Sequence, residues 1–385
     1  MVNGPLWCYF YAMKYVDNEN PMASMRFSCT QVGPNSLVYG TEDDLRKGFA
    51  SIQTYAKPER VFVENNCSVS LVGDDVQGIA DQMDLPWPVY AMDSGGMKGS
   101  FEAGYSAASL RIEKEMKTKE KIPASVNVLG LSTVHMKGRE DAEEIRRLLS
   151  LSGIRVISMP GGGSSWADIM EAPSASLNVV VRDELGLSLA KQMEQDFGTP
   201  YISCGLPYGT DGTMAWLSEI IEKLRAGELT RASHEAAKLK EFLLRKGNNL
   251  ESLWGPLWFD AVLISAPPSE ALGIAETIRS EWIDTARLVI HAQCETKKST
   301  PAADAIRVVM KNEKEIAKDY EDWQGGLVLS SSHETHLLRR MGRSFTGFHI
   351  ALPSHDEVHF SDLPQCGLRG AGYLYEQLWN AKLRK

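Results

Sequence analysis

The chain has 385 residues, of which 43% are hydrophobic and 24% are charged, and its formal net charge is −9. This length exceeds what one core usually fills, so two or three domains are expected, and the acidic balance argues against a general nucleic-acid surface or an anionic-lipid surface. No apolar run approaches the ~18 residues that span a membrane, and the N-terminus lacks the charged-then-apolar pattern of a signal peptide, which together predict a cytoplasmic protein.

The first segment carries two cysteines beside short predicted elements. Cys8 lies in GPLWCYF, ahead of a run that is compatible with a helix, and Cys29 lies in RFSCTQ. Further on, Thr41 followed by Glu-Asp-Asp predicts a helix that ends near Tyr55, because a threonine oxygen and an acidic first turn suit the exposed amides of a helix start. The region therefore begins as an α/β unit with thiols in or next to its turns.

A third cysteine lies in the stretch VFVENNCSVSLVGDD, residues 61–75. Its first residues indicate a buried strand, Cys67 follows in a predicted turn, and Gly-Asp-Asp is typical of a helix start. Open α/β sheets bind their ligands at the carboxyl ends of the strands. Because cysteine thiolates are the ligands of iron–sulfur clusters, we predict that Cys8, Cys29 and Cys67 converge to hold one.

A glycine-rich loop, DSGGMKGSFEAGYSAA, follows a predicted strand over Val89–Met92. Gly95, Gly96 and Gly99 permit backbone turns that other residues resist. A loop of this kind between a strand and a helix can cradle phosphate, yet this one has neither the GxGxxG spacing nor a GKS or GKT ending. Close approach of its backbone to a cluster or to a partner subunit is the favoured interpretation, and nucleotide binding is the weaker alternative.

Two further repeats of alternating strand and helix follow. A charged run at 115–121 and the pair Ile122-Pro123 mark a boundary, after which GREDAEEIRRLLSLSGIRV predicts an amphipathic helix and a strand. A third pattern begins near Thr230, where WFDAVLISAPPSEALGIAETI indicates strand, turn and helix, and a further helix is predicted from Ala302 to about Val309. The sequence therefore predicts an α/β fold of three Rossmann-like parallel-sheet domains. They are a cluster-binding domain at 1–122, a middle domain at 123–229 and a third domain with a closing helix at 230–385.

Several of these motifs resemble one family. GPLWC, SLVYGTEDDL and VENNCSVSLVGDD are similar to the opening of nitrogenase component 1 subunits, and the resemblance continues through NVLGLSTV, GGGSSWADIMEAPSASLNVVV, QDFGTPY and LPQCGLRGAGYLYEQLWN. That superfamily includes the nitrogenase alpha and beta chains, their cofactor-assembly scaffold and the dark-operative reductases of tetrapyrrole synthesis. The resemblance covers nearly the whole chain and implies a nitrogenase component 1-like fold.

For the cysteines, the resemblance implies specific ligand positions. Cys8 and Cys67 match the family's ligands in motif and in separation, whereas Cys29 lies where the family usually carries serine or threonine. The family's first cluster cysteine precedes the GPxxC segment and would fall before Met1 here. Either this chain supplies fewer ligands, or Cys29 substitutes, or a partner chain contributes. The implied cofactor in each case is an iron–sulfur cluster of the 4Fe–4S type.

Catalytic residues are not identified by the sequence, but Arg182, His333 and His349 are candidates. Nitrogenase alpha chains hold their cofactor partly through a cysteine, and LNVVVRDELG puts Arg182 at that place, which implies that this chain does not use that ligand. His333 lies in SSSHETH, which is not the HExxH zinc motif, and His349 lies in the last predicted strand. An imidazole could donate a proton to substrate and an arginine could bind a carboxylate or phosphate; side chains that only face solvent are the open alternative.

Three functions remain open at this point. The first is a subunit of a two-component reductase, in which a nitrogenase iron-protein-like ATPase sends electrons through the cluster to a small-molecule or tetrapyrrole-like substrate. The sequence has no GxxxxGKS or GxxxxGKT motif, so ATP would be handled by that partner alone. The second is a scaffold for cofactor or cluster assembly without turnover, and the third is a cluster-free structural subunit. The resemblance implies a homodimer or a heterotetramer with a homologous subunit.

Overall fold

A computed structural model describes residues 1–20, 23–92, 95–308, 317–318, 320–321 and 323–384. The chain divides into two compact units, 1–114 and 115–385. Strands in the described residues form three sheets in which every neighbouring pair is parallel. The prediction of an α/β fold with parallel sheets is confirmed, and the boundaries at 122 and 229 stay predictions.

The first unit is built on a sheet in the order β1-β2-β3. Its strands are β1 (Val2–Asn3), β2 (Val61–Asn65) and β3 (Val89–Met92). Its helices are α1 (Leu6–Glu19), α2 (Ser36–Tyr39), α3 (Glu42–Tyr55), α4 (Cys67–Val72), α5 (Val76–Asp81) and α6 (Phe101–Glu113), with a 3-10 turn at Ala23–Arg26.

The core of this unit forms where α3 packs on β2. Leu45 and Phe49, one turn apart on α3, are fully buried, and they pack in one cluster with Val61 and Val63, which alternate along β2. The helical and strand periods thus present two apolar faces to each other. Burial of each such side chain contributes about 1.5–3 kcal/mol to the stability of the folded unit.

Two local predictions in the first unit were wrong in detail. Thr41 does not cap α3: its hydroxyl donates to Asp74 Oδ2 at 2.7 Å, and its own side chain accepts no hydrogen bond from the first turn. Cys67 does not lie in a turn but is the first residue of α4, because Asn66 before it serves as the N-cap and accepts from Val69 N at 3.0 Å. The first helical turn therefore fixes the direction of the Cys67 side chain.

The second unit contains a four-stranded and a five-stranded sheet. The first, in the order β5-β4-β6-β7, comprises β4 (Ile122–Leu129), β5 (Arg155–Ser158), β6 (Ala175–Val180) and β7 (Tyr201–Ser203). The second, in the order β10-β9-β8-β11-β12, comprises β8 (Trp258–Ala266), β9 (Asp284–Ala292), β10 (Ala305–Val308), β11 (Leu327–Ser330) and β12 (Thr346–His349).

Helices surround both sheets of the second unit. They are α7 (Gly138–Leu151), α8 (Trp166–Met170), α9 (Asp183–Phe197), α10 (Thr210–Leu224), α11 (Thr230–Trp254), α12 (Pro268–Thr277), α13 (Ser332–Arg340) and α14 (Gly367–Leu383), with a 3-10 turn at Ala172–Ser174 and a π turn at Ile278–Trp282. One apolar core runs through the unit and includes Leu148 of α7 and Leu374 of the closing helix α14. In the part of the chain that the structure describes, no helix is long and apolar enough to cross a membrane.

The helix predicted from Ala302 to about Val309 was wrong. Residues 305–308 form the edge strand β10, in which Ile306 pairs with Ile290 of β9; Val309 itself lies outside the described residues. Strand β9 provides hydrogen-bond partners for the backbone N–H and C=O groups of this short segment, which contains the β-branched residues Ile306 and Val308. A helix of this length would be only marginally stable by itself.

Candidate functional site

The carboxyl ends of β1 and β2 deliver two of the predicted cysteines to one edge of the first sheet. The chain leaves β1 at Asn3 and reaches Cys8 in the first turn of α1, and it leaves β2 at Asn65 and reaches Cys67 at the start of α4. The two strands are neighbours and parallel. Both thiols are exposed and neither forms a disulfide.

Cys29 lies on the other side of β1. It forms an isolated parallel bridge with Val2, and its Sγ donates to Gly4 O at 3.3 Å. Burial raises the pKa of this half-buried thiol, and the nearby Cys8 adds to that shift. A metal that bound Cys29 would therefore have to displace a firmly held proton.

Gly4 and Asn66 link the three cysteine segments. A Cβ added to Gly4 would stand 2.6 Å from Asn66 Cγ, so the Asn66 side chain packs directly against the Gly4 backbone. Asn66 Nδ2 donates to Cys8 Sγ at 3.4 Å, and Cys67 is the next residue along the chain. The Cys29 thiol donates to the carbonyl oxygen of Gly4. The structure thus brings the segments of all three cysteines around one contact; their binding of a cluster stays a prediction.

The glycine-rich loop after β3 lies against the start of α4. A Cβ on Gly96 would stand 3.1 Å from Cys67 Sγ, and a Cβ on Gly95 would collide with Ser70 Oγ at 2.4 Å. Residues 93 and 94 of this loop lie outside the described residues. Free thiols that follow neighbouring strand ends, with glycine backbone beside one of them, fit the donor set that an iron–sulfur cluster requires.

Three exposed aromatic side chains lie on α1 within three residues of Cys8. Trp7, Phe10 and Tyr11 are 69%, 52% and 56% exposed, and their rings contact one another with centroids 5.5–6.2 Å apart. This surface, the α1 aromatic patch, directs apolar rings outward beside a candidate ligand.

In the second unit, the candidate Arg182 is fully buried at the start of α9. Its Nη2 and Nε lie 2.6 and 2.9 Å from Glu270 Oε1, and Nη1 donates to Gly130 O at 3.3 Å. A second carboxylate oxygen, Asp141 Oδ2, is 4.0 Å away. Burial is the largest single influence and disfavours the charge of Arg182, but Glu270, Tyr208 and Asp141 together outweigh it and raise the pKa of the guanidinium.

Burial also shifts the pKa values of the two carboxyl groups in this network, Glu270 and Asp141. Burial raises the pKa of Glu270 to about 7 and the pKa of Asp141 above its ordinary value, while Arg182 opposes both shifts. Asp141 Oδ1 also accepts from the backbone N–H groups of Gln365 and Cys366 at 2.7 and 3.0 Å. The network therefore ties the strand ends of β4, β6 and β8 to the start of the closing helix.

The two histidine candidates occupy different surroundings. His333 is exposed in the first turn of α13, whereas His349, the last residue of β12, is buried. Burial lowers the pKa of His349 and also that of His359 in the loop that follows. Both rings are therefore neutral near pH 7.

Sequence reasoning missed Glu270 and Asp141. Glu270 and Asp141 carry a usable signal, because each lies in the first turn of a helix that follows a strand, the place where α/β sheets collect functional groups. Their meeting with Arg182 could not be deduced, since the partners lie 41 and 88 residues away along the chain.

Comparisons with known proteins give a consistent result. The sequence profile described as nitrogenase component 1 type oxidoreductase matches residues 1–383. The nitrogenase iron-molybdenum cofactor biosynthesis protein NifE of Clostridium pasteurianum is 28% identical over 260 residues, which cover 66% of this chain and 54% of that protein. A light-independent protochlorophyllide reductase chain of Chloroherpeton thalassium is 22% identical over 377 residues, 92% of this chain and 69% of that protein. The chain thus spans about half the length of the first relative and about two thirds of the second.

A solved structure shares the fold. The structure titled "Nitrogenase Cp1 at pH 6.5" superposes with a TM-score of 0.75 at 17% sequence identity, over 100% of this chain and 88% of that chain. At this identity the likeness concerns the fold alone.

Proposed function

This chain belongs to the nitrogenase component 1 type oxidoreductases, and on that premise we propose that it is part of a two-component reductase and binds an iron–sulfur cluster. The observation that carries the proposal is the gathering of the Cys8, Cys29 and Cys67 segments around the contact between Gly4 and Asn66. These three thiols would hold the cluster, of the 4Fe–4S type, which supplies one-electron transfer when bound. Asn66 would orient Cys8 and tune the cluster through its N–H group.

A protein partner is supported by the α1 aromatic patch. Exposed aromatic side chains that contact one another are typical of protein–protein interfaces, where they provide apolar area at a small entropic penalty. We infer that a homologous subunit covers this patch in a homodimer or heterotetramer and can complete the ligand set. Electrons would come from an iron-protein-like ATPase, which would also handle the ATP, since the sequence has no GxxxxGKS or GxxxxGKT motif. The proposed complex belongs in the cytoplasm, where thiols stay reduced.

The proposed substrate is a small molecule or a tetrapyrrole. Support comes from relatives whose names state a protochlorophyllide reductase. Among the catalytic candidates, His333 has the exposure that a proton donor to substrate needs, at the carboxyl edge of the third sheet. We infer that Arg182 has a structural role and links the ends of neighbouring strands, because its guanidinium already donates hydrogen bonds to Glu270.

A second function is favoured by a different relative. The NifE protein is named for cofactor biosynthesis, and the same thiols would serve a scaffold that carries a cluster and passes it on. A scaffold would lose iron to an acceptor protein without consuming a substrate. A reductase would oxidise its reduced cluster on addition of substrate and keep its iron.

The test begins with anaerobic purification and analysis of iron, sulfide and the EPR signal after reduction with dithionite. We expect a reduced 4Fe–4S signal, and one cluster per two chains would place the site at a subunit interface. Turnover with the partner ATPase and tetrapyrrole substrates then separates reductase from scaffold. Folded, freshly prepared protein without iron and without a signal would overturn the proposal and favour a structural role.

A further inference from the structure

A second group of metal-ligand side chains lies in the second unit, at the carboxyl end of β12. His349 ends that strand, and Glu357 and His359 lie in the loop that leads to α14. One ligand atom from each of the three lies within 4.8 Å of the other two. Glu357 Oε2 is 3.9 Å from His349 Nδ1 and 3.9 Å from His359 Nε2. Two imidazoles and one carboxylate form a donor set that divalent transition metals use.

The far side of the His349 ring has the partner that a metal-binding histidine usually has. His349 Nε2 lies 3.4 Å from Asp356 Oδ1, and Asp356 Oδ2 in turn accepts from Arg339 Nη1 at 2.7 Å. A carboxylate at this distance favours the tautomer with the proton on Nε2, which leaves the lone pair of Nδ1 on the side of Glu357. Coordination would therefore require no change of tautomer at His349.

The loop that carries the other two ligands is held in place by hydrogen bonds. Glu357 Oε2 accepts from the backbone N–H of His349 at 3.0 Å, so this carboxylate is held beside His349. At the base of the loop, Ser332 N donates to Pro353 O at 2.8 Å and His355 N donates to Ser332 Oγ at 2.9 Å. The ligands are thus positioned before any ion arrives, which lowers the entropic penalty of binding.

Ser354 marks the place between the two rings. Its Oγ lies 2.8 Å from His349 Nδ1 and 3.3 Å from His359 Nε2, so one hydroxyl bridges the two nitrogens that face Glu357. Tetrahedral ligands at about 2.1 Å from zinc are about 3.4 Å apart. The two 3.9 Å separations exceed that value by about half an ångström, and all three ligand atoms lie within 4.8 Å of one another, so an inward movement of His359 and Glu357, with rotation of the Ser354 hydroxyl, would complete the geometry.

We propose that His349, Glu357 and His359 bind one divalent first-row transition metal ion, Zn²⁺ or Fe²⁺, at the carboxyl edge of the third sheet. Three protein ligands leave at least one coordination position for water or for a donor atom of a substrate, as in sites that act as Lewis acids. The site is separate in chain position and in donor chemistry from the cysteine site, so each can exist without the other.

Cobalt binding tests this proposal. The full chain, purified anaerobically and dialysed against a chelator, is titrated with Co²⁺ while visible absorption and bound metal are measured. We expect one ion per chain with visible bands of nitrogen and oxygen coordination, and competition by Zn²⁺. His359→Ala and Glu357→Gln should each weaken binding by more than the about 10- to 100-fold expected for Asp356→Asn, which changes only the outer partner.

Matched controls separate the site from its neighbours. His355→Ala alters an exposed ring in the same loop and should leave Co²⁺ affinity unchanged. Cys67→Ala should also leave the visible bands unchanged, even where it abolishes the iron–sulfur cluster. Wild-type Co²⁺ affinity in folded His359→Ala and Glu357→Gln proteins, or binding only with the near-ultraviolet bands of cobalt thiolate, would overturn the proposal.

Discussion

The side chain of Asn66 contacts the thiol of Cys8: Nδ2 donates to Sγ at 3.4 Å, although 58 residues separate the two along the chain. The other end of the same amide caps α4 by accepting from Val69 N at 3.0 Å. One residue therefore positions the helix that begins with Cys67 and also places an N–H group on a second candidate ligand. Hydrogen bonds to ligand sulfurs are among the features that set the reduction potential of a cluster.

Asn66→Asp tests this double role. Aspartate caps a helix as well as asparagine does, so α4 should persist, but the N–H donor is lost and a negative charge is added. Both changes stabilise the oxidised cluster, so we expect a lower reduction potential in an EPR-monitored redox titration. Ser68→Ala is the control, since it removes a hydroxyl that donates to Asn66 Oδ1 and leaves the Asn66 N–H donor in place. Equal potentials in the wild type and Asn66→Asp would show that Asn66 does not act on the cluster.

Cys67→Ala should remove most of the bound iron and leave the chain folded. Cys67 is exposed at the start of α4, so its loss creates no cavity in the core, while the cluster loses one thiolate. Iron and sulfide per chain report the loss, and far-UV circular dichroism reports the fold. Cys204→Ala, which removes a half-buried cysteine from the second unit, should keep the iron content of the wild type. Unchanged iron in Cys67→Ala would remove this residue from the ligand set.

Arg182→Met should destabilise the second unit strongly. The substitution leaves Glu270 buried without its partner, and breaking a buried ion pair from one side costs about 3–5 kcal/mol. Urea unfolding measures the loss. The double variant Arg182→Met, Glu270→Met should recover a large part of it, because two apolar side chains replace two charges. A single variant as stable as the wild type would show that the pair adds nothing to the fold.

The fold was predictable from local patterns where those patterns were strong. The stripe Ile145, Leu148 and Leu149 of α7 is fully buried as its spacing indicates, and β3 occupies Val89–Met92 as predicted. Failures occurred where a distant partner decides the structure. Ala305–Val308 is a strand because β9 lies beside it, a pairing that composition alone does not show.

Thr41 illustrates the same limit for a side chain. Its position before three acidic residues is typical of an N-cap. Its hydroxyl and its backbone N–H, however, both donate hydrogen bonds to the carboxylate of Asp74, 33 residues later. The thiols could be located because a cysteine after a strand is a local signal. The network of Arg182, Glu270 and Asp141 could not, because it joins three strand ends whose meeting depends on how two sheets pack.

His135 should make the second unit sensitive to acid. Its Nδ1 lies 3.7 Å from Glu270 Oε1, which favours a charged ring, but burial and the positive Arg182 outweigh this and lower the pKa of His135 to about 3. The unfolded chain binds a proton at this residue near pH 6.5, so the free energy of unfolding should fall as pH drops from about 6.5 toward 3, by up to about 1.4 kcal/mol per pH unit.

Substitution of His135 isolates this contribution. His135→Gln removes the titrating group, so its free energy of unfolding in urea should fall less than that of the wild type between pH 7 and pH 5. The difference in the free energy of unfolding between the wild type and His135→Gln should therefore become smaller as the pH falls, and the variant can become the more stable of the two. His234→Gln, on the exposed face of α11, should follow the wild type throughout. Parallel pH profiles for the wild type and His135→Gln would mean that His135 has the same pKa in the folded and the unfolded chain, and would contradict the lowered pKa.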